Sequence, residues 1–152
     1  MPESKLKVYV KARFDVIWEK LLDKIYHPEK YVDRIKNVDI LEDAPDHVLR
    51  LIHFNDSTWQ ELKELIVHDK STGIIVYRLV DHPYFEGETV NICGATNEIY
   101  HLELDYEINW KLKNSANHES NEQKDISQKA LQIAIQQMKV VSEEAEAVYR
   151  QN

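Results

Sequence analysis

ISQKALQIAIQQMKVVSEEAEAVY, the stretch Ile126–Tyr149, decides how this chain folds. Ile126, Ala130, Ile133, Ala134, Val141, Ala145 and Val148 recur at steps of three and four, with Gln128, Lys129, Gln132, Gln136, Lys139, Glu143 and Glu146 between them. That spacing predicts an amphipathic helix carrying one apolar stripe. The stretch has no Gly or Pro and follows Asp125, a residue suited to the N-cap. At ~1.5 Å per residue, roughly 25 residues make a rod about 37 Å long, which needs a wide apolar surface to lie on.

The preceding stretch supplies that surface. Tyr100, Leu102, Leu104, Tyr106, Ile108, Trp110 and Leu112 alternate with His101, Glu103, Asp105, Glu107, Asn109 and Lys111. This period of two predicts a strand with one buried and one wetted face, Tyr106 and Trp110 toward the helix and Glu103, Asp105 and Glu107 toward water.

Further out, Leu6, Val8, Val10 and Ala12 alternate with Lys5, Lys7, Tyr9 and Lys11, predicting a first strand over 5–12. Asp15 is placed to cap a helix through Val16, Ile17, Leu21, Leu22 and Ile25, and Pro28 to open a second short helix through Tyr31, Val32 and Ile35. From Asn37 the helical period gives way to strands at Val38–Glu42, Val48–Phe54, Thr58–His68, Ile74–Val80 and Glu88–Cys93. Turns at Asp43–Asp46, Asn55–Ser57 and Asp69–Gly73 keep the connections short, so the pairing is expected to be an antiparallel meander. Asn114–Lys124 is polar and aperiodic and reads as an exposed loop.

The 152 residues are expected to form one domain, which at this length buries about two-thirds of its unfolded surface. A net charge of -8, with basic residues scattered, argues against nucleic acid and against an anionic membrane surface. Cys93 is the single cysteine, so no internal disulfide is expected, and the first ten residues lack the apolar segment of a secretory signal; the expected location is cytoplasmic. No apolar run approaches the ~20 residues that a membrane-spanning helix needs, so no membrane insertion is expected.

One strand, two short helices, a six-strand meander and a long terminal helix resemble the helix-grip fold of the birch-pollen-allergen, lipid-transfer (START) and polyketide-cyclase superfamily. There a curved seven-stranded antiparallel sheet wraps a long C-terminal helix, an α+β architecture with an apolar cavity between the two. Within it, the passage GETVNICGATNEIYHLELDYEINW, Gly87–Trp110, is similar to the AtaL-like bacterial branch through Gly87, Asn91, Ile92, Leu102, Leu104, Tyr106 and Trp110. The chain departs from the plant allergens, since Gly73, Gly87 and Gly94 are its three glycines and form no glycine-rich loop.

The resemblance implies an apolar cavity, and such ligand sites measure roughly 300–1,000 Å³. In registers with an even residue sum, Glu64 lies opposite or diagonal to Arg78, flanked by Leu62, Ile66, Val76 and Val80, and the pair would orient a polar ligand group. The competing reading is an ion pair on the wetted outer face, and Arg50 shares the ambiguity. The expected ligand-binding set is Trp59, Leu62, Glu64, Ile66, Val76, Arg78, Leu104, Tyr106, Trp110, Ala134 and Met138, against which dense side-chain packing is the alternative. No two of the seven histidines stand at i, i+3 or i, i+4, so no metal is expected; nor is any other cofactor, since the P-loop, dinucleotide fingerprint and nucleophile elbow are absent. Cys93 reads as an inert core thiol, and no catalytic residue is identified.

Three functions follow: binding a small or medium hydrophobic ligand between sheet and helix; a polyketide cyclase or dehydratase working in the same cavity; and a regulatory protein-interaction domain. The expected partner is a hydrophobic small molecule, with a homodimer left open and nucleic acid excluded.

Overall fold

The computed structural model describes residues 3–32, 34–55, 61–95, 102–113 and 121–151. Seven strands, β1 (Glu3–Val10), β2 (Ile35–Asp43), β3 (Val48–Phe54), β4 (Glu61–Asp69), β5 (Ile74–Leu79), β6 (Phe85–Ala95) and β7 (Leu102–Leu112), make one sheet. Its order is β1-β7-β6-β5-β4-β3-β2, and every pairing is antiparallel. From β2 to β7, neighbours in sequence are neighbours in space. Only β1 breaks that rule, so the chain between β1 and β2 must cross the width of the sheet.

Helix α1 (Phe14–Tyr26) makes that crossing, burying Val16, Ile17, Trp18, Leu21 and Ile25. Its N-cap is Arg13, whose extended backbone offers its carbonyl to Val16 N and Ile17 N at 3.1 Å each. Asp15 therefore sits inside the first turn, where its charge favours the helix N-terminus without capping it. The second short helix reduces to one 3-10 turn, Pro28–Lys30. Tyr31 is pinned by its hydroxyl, which donates to Asp23 Oδ2 at 2.7 Å, and Ile35 already pairs with Phe54. The β-branched run Val32, Ile35, Val38 and Ile40 favours the strand over a second helical turn.

Helix α2 (Asn121–Gln151) has 31 residues, roughly 46 Å, and Asp125 lies within it rather than at its cap. Its buried stripe is displaced from the expected one. Leu131, Ile135, Met138, Ser142 and Glu146 face inward with Ala134, Val141 and Ala145 beside them, whereas Ile133 and Val148 are 60% and 58% exposed. The stripe runs through Ser142 and Glu146 because its C-terminal half packs on the β1–α1 junction. There Glu146 takes two hydrogen bonds from Arg13 Nε (3.0 and 3.1 Å), and Glu143 accepts Lys11 N at 2.8 Å.

The main core joins Ile17, Leu21 and Ile25 of α1 and Leu131, Ile135 and Met138 of α2 to the inner face of the sheet. A smaller cluster, Ile35, Ile52, Leu62 and Leu79, lies at the β2–β5 end, with Phe85 and Trp110 packed against it. Trp110 thus shares the face of Tyr106 but belongs to this second cluster. Outside, Lys5 pairs with Glu107 (3.1 Å) and Lys7 with Glu103 (3.3 Å), so the charged face of β7 is covered by that of β1. Among the described residues no helix is long and apolar enough to cross a membrane.

Candidate functional site

The inner face of the sheet carries a polar group inside the main core. Lys24 stands in the last turn of α1, seven residues after Ile17 and three after Leu21, which places it on the buried side of that helix, 8% exposed. Its Nζ donates to Asn91 Oδ1 and, at 3.2 Å, to Tyr106 Oη. The same nitrogen lies 4.3 Å from the ring centroid of Tyr106 and 5.2 Å from that of Tyr77. Register assembles the three partners: Asn91 of β6 is opposite both Tyr106 of β7 and Ile75 of β5, and Tyr77 follows two positions on along the same face.

Behind Lys24 lies a buried ion pair. Arg50 of β3 is directly opposite Glu64 of β4 and gives its Oε1 two hydrogen bonds, from Nε at 3.1 Å and Nη2 at 2.9 Å. Nη1 donates to the carbonyls of Lys24 (3.0 Å) and Ile25 (2.7 Å). These carbonyls end α1 and have no helical donor of their own, so Arg50 closes the helix C-terminus while holding Glu64. Its guanidinium also stacks over Tyr77, 5.1 Å from the centroid.

Arg50 and Glu64 neutralise each other, which leaves Lys24 as the excess charge. Burial, and then the nearby Arg50 cation, lower its amine to about 7, against a smaller opposing pull from Glu64. Burial also drives the Tyr77 and Tyr106 hydroxyls upward, so both are proton donors. Among the described residues, Tyr77 Oη and Asn91 Nδ2 have no hydrogen-bond partner, although Tyr77 and Asn91 are only 3% and 1% exposed. Unpartnered buried donors of this kind are uncommon and costly. The result is an amine, a carboxamide and two phenols in an apolar envelope that includes Ile66, Ile75, Leu104 and Met138.

Of the residues expected from the sequence, Glu64, Ile66, Leu104, Tyr106 and Met138 are buried, the last three with Ile66 in the main core. Ala134 is half-buried against the same core, and Leu62 and Trp110 belong to the second cluster, Trp110 donating Nε1 to Thr89 Oγ1 at 3.2 Å. Trp59, Tyr100 and His101 lie outside the described residues. Val76 and Arg78 are on the other face. Glu64 pairs with Leu79 and Leu65 with Arg78, an odd register that sends Ile75, Tyr77 and Leu79 inward and Arg78 out, where it meets Glu88 at 3.7 Å. The partner of Glu64 is Arg50.

Lys24 is absent from the set expected from the sequence; its spacing of three from Leu21 and seven from Ile17 is the signal that puts it on the buried side of α1. His53 sits on the outer face between Asp39 (2.7 Å) and Glu61 (3.6 Å), and His82 Nδ1 accepts from Tyr84 N and Phe85 N. Among the described residues, no group of three or more His, Cys, Asp or Glu side chains is placed to hold a metal ion.

Comparison with known proteins adds the family. The ZhuI aromatase/cyclase from Streptomyces sp. R1128 superposes with a TM-score of 0.60 at 16% identity, over 94% of this chain and 89% of that one. An uncharacterized protein from Bacillus thuringiensis superposes with a TM-score of 0.68 at 9% identity, over 92% and 98%. At these identities the likeness is one of fold, the helix-grip architecture. A search of the curated proteins gives no match. The sequence model of the acetylaranotin biosynthesis cluster protein L family, AtaL, matches residues 13–145, from the N-cap of α1 into the last turns of α2, and the chain belongs to that family.

Proposed function

We propose that the 152 residues act as one ligand-binding domain, which takes a small or medium apolar molecule bearing a carbonyl or enolic oxygen between sheet and α2. The observation that carries this reading is the pair of unpartnered donors, Tyr77 Oη and Asn91 Nδ2, buried beside Lys24. A ligand oxygen would accept from them what no described protein group accepts, while the surrounding aliphatic side chains take its hydrocarbon body. The helix-grip neighbour described as an aromatase/cyclase supports a polyketone-like ligand class.

A cyclase or dehydratase reading rests on a separate observation. An amine held at about 7 within hydrogen-bond distance of a phenol is suited to moving a proton next to a carbonyl.

The test is a titration with an environment-sensitive apolar dye, displaced by benzoylacetone, an apolar 1,3-diketone. The wild type is expected to bind the dye and release it to the diketone. Ala134→Trp on the inner side of α2 should block both. Asn91→Leu should spare dye binding but weaken the diketone by roughly tenfold, the worth of about one hydrogen bond. A wild type that binds no dye, or Ala134→Trp binding unchanged, would overturn the reading.

A further inference from the structure

Resting on that binding reading, we infer that Lys24 is a covalent anchor: its Nζ condenses with a ketone carbon of a bound 1,3-dicarbonyl compound to form an enaminone. Three features of the geometry converge on this assignment. Among the described residues Lys24 is the one buried lysine, while Lys5, Lys7, Lys30, Lys70 and Lys139 pair with carboxylates at or near the surface. Among the described residues its nitrogen has two hydrogen-bond partners, Asn91 Oδ1 and Tyr106 Oη, both neutral, and the Glu64 carboxylate acts on it only from a distance, engaged by Arg50. Two residues around it bear unpartnered buried donors, Asn91, whose Oδ1 the amine contacts, with Nδ2, and Tyr77, whose ring centroid is 5.2 Å from the nitrogen, with Oη: one donor for each oxygen of a bound 1,3-dicarbonyl.

The amine's chemistry supports the step. Desolvation and the adjacent Arg50 cation leave it largely unprotonated above neutral pH, the condition under which lysine is a nucleophile.

The nitrogen lone pair forms the N–C bond as the carbonyl π pair moves to oxygen, which is protonated. Tyr106 Oη, 3.2 Å from the nitrogen, is placed to carry that proton. Loss of the hydroxyl as water removes the carbonyl oxygen together with the two hydrogens first held by nitrogen, leaving a C=N bond. Transfer of one proton from the carbon between the two carbonyls to nitrogen gives the conjugated enaminone. The sum is amine plus ketone going to enaminone plus water, with no oxidant or reductant. Aliphatic and aromatic 1,3-diketones, and the terminal 1,3-dicarbonyl of a longer polyketone, are the class of ligand that fits.

The full-length protein would be incubated with benzoylacetone and followed by the near-ultraviolet enaminone band and by intact mass, with the adduct located by peptide mapping. The expected result is a single adduct whose mass gain is the diketone less one water, on the peptide containing Lys24, and its absence in Lys24→Met and Lys24→Arg. Circular dichroism would establish that these variants fold. Should either fail to fold, mapping of the wild-type adduct alone still decides. An adduct confined to exposed lysines, or one persisting in a folded Lys24→Met, overturns the assignment. Benzoylacetone that displaces the dye without forming an adduct overturns the covalent step and leaves binding standing; benzoylacetone that does neither overturns both.

Discussion

Lys24 gives the stability of this fold a pH dependence of its own. Its amine titrates near 7 in the folded protein and near 10.5 in the unfolded chain, so across that window the unfolded chain holds a proton that the folded one has released. Unfolding then takes up a proton, and stability rises with pH through the window; below it the full penalty of burying the charged amine applies. Relative to Lys24→Met, wild-type stability in urea denaturation is expected to climb from neutral pH to pH 10, with a ceiling of about 5 kcal/mol. Tyr77 and Tyr106, kept protonated by burial, act in the opposite sense above pH 10, but they are common to both proteins and cancel. A difference that is flat with pH would mean that the amine stays charged inside. Beside it, Arg50→Met should cost ~3–5 kcal/mol, since Glu64 is left as an unpaired buried charge and the last carbonyls of α1 lose their donor. Adding Glu64→Leu should restore most of the loss, and a double variant no better than the single would show that the helix carbonyls dominate.

At the scale of elements, two short connections set what each strand presents. β4 and β5 meet at the pair Asp69–Ile74, around a loop of Lys70–Gly73. Asp69 belongs to the ladder and also receives Ser71 N (3.0 Å) and Ser71 Oγ (2.6 Å), so a residue with turn chemistry is the last residue of a strand. Reading it as turn shortens β4 by one position and allows the even-sum registers that would set Arg78 beside Glu64; with Asp69 in the ladder the sum is odd and Arg78 lies outside, the alternative that the sequence left open. The stripe of α2 escaped for a related reason. Periodicity counts apolar residues, and this stripe includes Ser142 and Glu146, the latter held by Arg13, more than a hundred positions away. The order of the seven strands and of the two α-helices is legible in the sequence, together with the alternation of β7, whereas the second short helix is not: Ile35 opens a strand. Partners fixed by long-range contact, Arg50 for Glu64 and Asn91 for Lys24, carry no local signal. Gly73 ends the β4–β5 loop at φ +71, and a Cβ there would lie 2.2 Å from Cys93 O, in backbone that cannot withdraw. Gly73→Ala should therefore destabilise by more than ~1 kcal/mol in thermal denaturation, and a neutral effect would mean that the turn has a second conformation.

For the whole molecule, Cys93 reports whether the sheet opens as one unit. It is buried against the main core, and burial pushes its thiol up to about 12, so almost none is thiolate at ordinary pH. Iodoacetamide at pH 8 is expected to label it only through global unfolding, with a denaturant dependence equal to that of circular dichroism. Labelling that stays fast without denaturant would show β6 opening on its own. The two hydrophobic clusters sit on one continuous sheet face, which is the physical basis for expecting a single transition.

The pairing of β1 with β7 also has a consequence in time. Of the seven strands β1 leaves the ribosome first, yet Leu6 is matched to Tyr106, one hundred residues later in the chain. At the usual ~5–20 residues per second of synthesis, the nascent strand spends about 5–20 s with its hydrogen-bonding edge open and no native neighbour to close it. Lys5 and Lys7, which later meet Glu107 and Glu103, act before that as unpaired cations that discourage the strand from adding to another chain in a crowded polysome. The two lysines thus guard the newborn chain during the same seconds in which the meander is being made, and become part of the sheet only when β7 arrives.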